Sequence, residues 1–237
     1  MKKISLVVLA CMAVGSAMAQ DGSSTDMNQS HKPLRTEMSR ATRFGLAAGV
    51  NLAKFHFSDE PAGTTWSPTM KTSMYGGAFV NIPIGGIFRL QPGVFYNGLG
   101  SKISTTTTAG GTTIKTTGEQ DLHYLTVPLT LQIVPGHNGF FLEVGPQIGY
   151  LFTGKREVTS GSTTTTQEFN KSDYDRTDFG VHGGIGYITR IGFGFEAKYY
   201  SGFTNVYKDN GALSNSGAEA RNRAWQFGLF YHFGAAK

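Results

Sequence analysis

The sequence predicts an all-β fold: an eight-stranded antiparallel up-and-down barrel that crosses a lipid bilayer. Three observations lead there. Apolar residues alternate with small or polar ones in eight separate segments, each long enough to span hydrocarbon. The chain opens on a secretory signal and has no later apolar run of membrane-helix length. Its connections alternate between tight and long, as in a barrel with short turns at one end and loops at the other.

The signal occupies residues 1–19: a basic start at Lys2 and Lys3, an apolar run from Ile4 to Val14, and an A-x-A cleavage site at Ala17 and Ala19. Cys11 is the only cysteine and lies within it, so the mature chain can form no disulfide. Leu9 to Cys11 also admits a lipoprotein reading, but the apolar run before Cys11 is very short, which favours cleavage at Ala19. Residues 20–42 are polar and turn-rich and read as a flexible periplasmic segment, leaving 43–237 for the barrel. Removing Lys2 and Lys3 lowers the basic count from 21 to 19 against 16 acids, too mild an excess to make nucleic acid a partner.

Each strand follows from its parity. The first sets Phe44, Leu46, Ala48, Val50 and Leu52 against Gly45, Ala47, Gly49 and Asn51. The second sets Met74, Gly76, Ala78, Val80 and Ile82 against Tyr75, Gly77, Phe79 and Asn81. In the third, Phe88, Leu90, Pro92, Val94 and Tyr96 oppose Arg89, Gln91, Gly93, Phe95 and Asn97. In the fourth, Leu125, Val127, Leu129, Leu131 and Ile133 oppose Thr126, Thr130 and Gln132.

The second half repeats the pattern. The fifth strand turns Phe140, Leu142, Val144, Pro146, Ile148, Tyr150 and Phe152 outward and Glu143, Gly145, Gln147 and Gly149 inward. The sixth turns Phe179, Val181, Ile185 and Tyr187 outward, with Asp178, His182, Gly184 and Gly186 inward. The seventh turns Ile191, Phe193, Phe195, Ala197 and Tyr199 outward, with Gly192, Gly194, Glu196 and Lys198 inward. The eighth carries Trp225, Phe227, Leu229, Tyr231 and Phe233 on one face. Eight is even, as closure of an antiparallel barrel requires.

A soluble β-sandwich alternates too. The barrel is favoured because the apolar faces have almost no exceptions and the charges share the opposite face with many glycines, as a narrow packed lumen needs. The stretches IPIGGI, VPGHNG and TRIG are tight turns, whereas 54–72, 101–120, 154–176 and 204–222 read as long external loops. Pro92, Pro128 and Pro146 fall inside strands, so either bulges accommodate them or the boundaries slip there. Phe44, Phe88, Phe140, Tyr187, Tyr231 and Phe233 form one aromatic belt near the turns; Tyr96, Tyr150, Phe152, Tyr199 and Trp225 form the other near the loops.

With these residues in view, the chain resembles the PorT-like family of small outer-membrane β-barrels, close in size to OmpX and the OmpA membrane domain. The matching stretches are YLTVPLTLQ at Tyr124 to Gln132, FFLEVGPQIGYLFTGK at Phe140 to Lys155 and TDFGVHGGIGY at Thr177 to Tyr187. FEAKYYSGFTNV at Phe195 to Val206 and the closing strand match as well. The resemblance implies a bacterial outer-membrane location, outer-membrane lipid as surroundings and the barrel-assembly machinery as a partner. It also admits a surface or secretion-complex protein partner. An assembly signal of the form polar, x, Gly, x, x, aromatic, x, aromatic falls on Gln226, Gly228, Tyr231 and Phe233, although Gly234 to Lys237 extend beyond the final aromatic.

Chemistry is sparse. The six histidines are scattered over the leader (His31), a turn (His137) and separate strands or loop edges (His56, His123, His182, His232), and no pair has metal-ligand spacing. No cofactor is expected. His123 beside Asp121, and His182 with Asp178, are the only arrangements that invite catalysis, and neither has a nucleophile at a recognisable spacing. Arg89, Glu143, Gln147, His182, Glu196 and Lys198 are expected to form a polar network in the lumen. Arg89 and Lys198 there pair with Glu143 and Glu196 rather than lining a diffusion pore. Thr-rich runs at Ser104 to Thr108, Thr112 to Thr117 and Ser162 to Thr166 should extend hairpins above the membrane. The expected role is a non-enzymatic barrel that displays external loops for surface interaction, adhesion or envelope assembly; the alternative is a lipid- or peptide-directed enzyme with a site at the external rim.

Overall fold

Ten strands make up one antiparallel sheet: β1 (Arg43–Ser58), β2 (Thr64–Thr69), β3 (Lys71–Gly85), β4 (Phe88–Ala109), β5 (Thr112–Ile133), β6 (Phe140–Ser160), β7 (Thr163–Glu168), β8 (Thr177–Ile188), β9 (Phe193–Gly202) and β10 (Glu219–His232). The computed structural model describes residues 41–58, 64–109, 112–136, 139–160, 163–168, 173–208 and 219–234. The signal peptide expected at 1–19, the polar segment up to residue 40, His31, His137 and Ser162 lie outside them. Eight strands close a ring in the order β1, β3, β4, β5, β6, β8, β9, β10. The closing seam runs from Gly45 opposite His232 to Ser58 opposite Glu219, and it removes both free edges. In hydrocarbon each unpaired backbone group would cost several kcal/mol, so closure is what makes the sheet viable there.

Parity sorts the two faces as the alternation implies. Phe44, Leu46, Val50, Met74, Val94, Leu125, Leu129, Leu142, Val144, Ile148, Phe195 and Phe227 are all exposed on the outside. Asn51, Asn81, Asn97, Thr126, Gln132, Glu143, Glu196 and Gln226 are buried within. Aromatic rings complete the filling where inward glycines make room. The Phe141 ring occupies the space a Cβ on Gly186 would take, and the Tyr75 hydroxyl does the same over Gly228.

The prolines stay in their strands without a change of register. Ladder pairing lapses between Pro92 opposite Leu129 and Phe95 opposite Thr126, and again between Pro128 opposite Gln147 and Leu131 opposite Val144. A missing N–H is thus skipped rather than bulged. Irregularities occur elsewhere, at Pro83/Gly85 and at His123/Tyr124. Ile191, expected on the seventh strand, belongs to the turn before β9 because Thr189 already accepts the turn bond from Gly192.

The stretches 101–120 and 154–176, read as loops, are largely strand in their described residues, and the Thr-rich runs within them extend hairpins as expected. β4 and β5 continue as a hairpin to Ala109 opposite Thr112, and β6 follows β5 up to Thr116 opposite Ser160. β2 pairs the outer part of β4, and β7 pairs the outer part of β6. A five-stranded sheet, β2-β4-β5-β6-β7, therefore stands beyond the loop-side aromatic belt. Alternation misses β2 and β7 because Thr and Ser favour strands without marking a buried face.

Candidate functional site

The membrane-level interior is built around one cation. Lys198 on β9 lies 2.7 Å from Glu196 Oε1, and the Tyr75 hydroxyl of β3 donates to the same oxygen at 2.8 Å. Glu143 of β6 lies within electrostatic reach of Lys198, and its Oε2 accepts from Gln132 Nε2 at 3.2 Å. The Lys198 ammonium also faces the rings of Tyr75 and Phe95 at 5.4 and 5.7 Å. A buried charge survives only with such partners, because desolvating an ion costs several kcal/mol. His182 Nε2 meets Thr130 Oγ1 at 3.0 Å. Gln147, His182 and Lys198 help line a cavity of about 20 Å³, room for about one water.

The expected pairing of Arg89 with Glu143 or Glu196 needs correction. Lys198 is the cation beside Glu196 and Glu143, whereas Arg89 Nη1 donates to Asn81 Oδ1 at 3.2 Å nearer the turns. β4 and β9 are not neighbours in the ring, so position along the strand decides which charges meet. Asn81 also donates to Gln91 at 2.9 Å and Gln132 at 2.7 Å. One layer further out, Gln226 donates to Asn51 and Asn97, both at 2.9 Å, and Asn97 donates to Thr126 at 2.6 Å. These amides were visible as inward-parity residues, but carrying no charge they gave no sign of acting as connectors.

Above this layer Asp178 accepts from Tyr200 at 2.9 Å, Thr204 at 2.9 Å and Asn222 at 3.3 Å. Asn222 bridges to the Tyr124 hydroxyl at 3.2 Å. Higher still, Gln120 donates to Tyr174 and accepts from Tyr207. Around these polar tips Phe55, Leu99, Leu122, Leu151, Val206, Ala220 and their neighbours form an apolar core.

Beside it, Lys71 Nζ pairs with Glu119 at 2.7 Å and also with Asp121. Burial pulls the Lys71 ammonium down, but the hydrogen bonds and charges of Asp121 and Glu119 outweigh it and leave its pKa raised. The same hydrogen bond holds Glu119 below the ordinary carboxylate value.

The two pairs singled out for catalysis do not assemble. His123 Nδ1 meets the Tyr96 hydroxyl at 2.7 Å on the outer face, while Asp121 turns to Lys71. His182 and Asp178 occupy different layers with different partners. Among the described residues no three His, Cys, Asp or Glu side chains lie together as a metal site would require.

The four positions of the assembly signal have local roles as well. Gln226 ties β10 to β1 and β4 through its amide, and Gly228 admits Tyr75. Tyr231 and Phe233 lie exposed on the outside, their rings 5.2 Å apart, and Phe233 N donates to Phe44 O at 2.8 Å.

Residues 18–208 match the family described as outer membrane protein beta-barrel domain. No protein of curated function matches the chain. Among solved structures it is similar to Neisserial surface protein A, with 11% identity, TM-score 0.44, and coverage of 80% of this chain and 97% of that one. It is also similar to Ail, the attachment invasion locus protein of Yersinia pestis, with 10% identity, TM-score 0.44, and coverage of 81% and 98%. The outer membrane protein OprG of Pseudomonas aeruginosa gives 13% identity, TM-score 0.43, and coverage of 82% and 97%.

Proposed function

The chain belongs to the outer membrane protein β-barrel domain family, and from that premise we propose that it is a non-enzymatic surface barrel whose external sheet docks another protein. Its place is the bacterial outer membrane. The observation that carries the proposal is the five-stranded sheet β2-β4-β5-β6-β7, in which β7 has no second partner strand among the described residues. Thr163 to Thr166 on that strand are exposed. An unpaired strand edge in water is a template for a partner's backbone, and threonine presents hydroxyls without an apolar surface that would aggregate. The filled interior supports a display role over transport, since eight strands leave room only for side chains. The resemblance to PorT-like barrels favours a partner within the cell envelope. The residues at Gln226, Gly228, Tyr231 and Phe233 favour delivery by the barrel-assembly machinery.

A photo-crosslinking residue in place of Thr165 tests this on intact cells, with Leu129 on the lipid-facing side as the control position. The expected result is a discrete protein adduct from Thr165 alone, lost when 104–117 is replaced by a short turn that leaves the barrel inserted. Absence of any adduct from Thr165, or hydrolysis of lipid or peptide by the purified protein, would overturn the proposal.

A further inference from the structure

On the outer face of the closing seam, Lys54 of β1 stands directly opposite Arg223 of β10, and His56 stands opposite Arg221. All four lie on the outward parity of their strands, one and two steps beyond Leu52 opposite Trp225 in the loop-side belt. Directly opposed side chains have Cβ atoms about 5 Å apart, and like charges there oppose strand pairing. The seam nonetheless sets Lys54 against Arg223 as one such pair.

Several other cations near this height have partners. Lys71 and Lys102 take Glu119, and Arg176 lies over the Tyr150 ring at 4.4 Å. Arg221 is paired with Glu219 at 2.5 Å. Neither Lys54 nor Arg223 has an acidic partner among the described residues. Burial and the charges of Arg223, Arg221 and Lys54 hold the His56 ring below its ordinary value. The uncompensated positive charge of the cluster therefore lies on Lys54 and Arg223.

A groove of about 260 Å³ opens beneath the charges, lined by Leu52, Lys54, Met70, Tyr199, Arg223 and Trp225. Its upper wall is cationic. Its lower wall is apolar and aromatic and continues into the lipid-facing surface at Val50 and Phe227. A free inorganic anion would use only the upper half. An amphiphile uses both, with its anionic group between Lys54 and Arg223 and its chains running down past Leu52 and Trp225. We propose that this groove binds the phosphate headgroup of a lipid in the outer leaflet. The bound phosphate relieves the repulsion across the seam, so the site also ties lipid to the one strand pair that joins the two ends of the barrel.

The mature protein folded in dodecyl maltoside provides the test, with phosphatidic acid, phosphatidylcholine and inorganic phosphate as probes and native mass spectrometry as the readout. Phosphatidic acid should be retained about tenfold better than phosphatidylcholine, and an equal concentration of inorganic phosphate should not displace it. K54Q/R223Q should lower that retention by about tenfold or more, with K54Q alone giving a smaller loss, while the heat-modifiable band on a gel stays unchanged. Equal retention of the two lipids by the unmodified protein would overturn the proposal, whatever the variants do. Undiminished retention by a folded K54Q/R223Q would overturn it too. Displacement by inorganic phosphate would reduce the groove to a simple anion site, and the lipid assignment would fail.

Discussion

From Phe44 to Leu52, strand β1 turns Phe44, Leu46 and Val50 to lipid and Asn51 to the lumen; a few residues on, it buries Phe55 and points Lys54 and His56 outward. β10 makes the same change in reverse order. Trp225, Phe227 and Leu229 face out around Gln226 at membrane level, whereas above it Arg221 and Arg223 face out around buried Asn222, with buried Ala220 and Ala224 on either side. Parity continues through both strands while the outer face changes from apolar to polar. The backbone is one continuous sheet, so the change reflects the surroundings: outside the belt the neighbour is water, and the apolar residues move to the interior. Both interiors mix rings with polar groups, but the lower one is centred on the Lys198 cation with Glu196, Glu143 and Tyr75, whereas the upper one packs Phe55, Leu122 and Leu151 around Asp178, Asn222 and Gln120.

That contrast breaks most sharply at Lys198. Lys198→Met leaves Glu196 and Glu143 buried without their cation and should cost about 3–5 kcal/mol in urea unfolding from vesicles. Adding Glu196→Gln should recover much of the loss. A single variant as stable as the parent would show that charge does not hold the lower interior together.

Phe55→Ala should cost about 3 kcal/mol, yet the loss should stay in the upper interior. Protease cleavage within 101–120 should quicken while the membrane-level strands keep their hydrogen-exchange protection. Uniform loss of protection along all strands would mean that the two interiors fold as one unit.

Phe233→Ala touches neither interior. It removes one lipid-facing ring and should cost only about 1–3 kcal/mol, leaving the backbone bond from Phe233 to Phe44 intact. The amount inserted in cells should fall sharply while refolding in detergent stays nearly normal. Normal insertion with reduced detergent stability would make Phe233 a packing residue only.

The smallest effect is the response of the Lys71 clamp to pH. Glu119 is depressed from 4.5, so its contribution is complete above that value and is lost as pH falls through the lower folded value. Lys71 is raised from 10.5, so its contribution is complete below that value and is lost as pH rises through the higher folded one. The clamp is therefore whole across neutral pH, and protease access to 101–120 should increase only at the acid and alkaline extremes. A cleavage rate that changes between pH 6 and 8, about the middle of that window, would assign the hairpin's stability to another group.

The outward and inward faces and the even number of ring strands are legible in the residues, because alternation is a local property that each strand carries in itself. It also placed Glu143, Gln147, His182, Glu196 and Lys198 on the inward parity. Only the tertiary structure decided which of them meet. Arg89 and Lys198 share a face, but Arg89 reaches Asn81 and Lys198 reaches Glu196. β7 is announced by its threonines, which favour strand, whereas β2 shows no apolar period and only its pairing with β4 reveals it. The basic seam was hidden for a different reason. Lys54 and Arg223 lie at opposite ends of the barrel chain, and their juxtaposition depends on the register at which β1 and β10 close the ring. Closure register is set by the whole ring at once, since every strand pair must keep its hydrogen bonds as the sheet tilts and staggers into a cylinder.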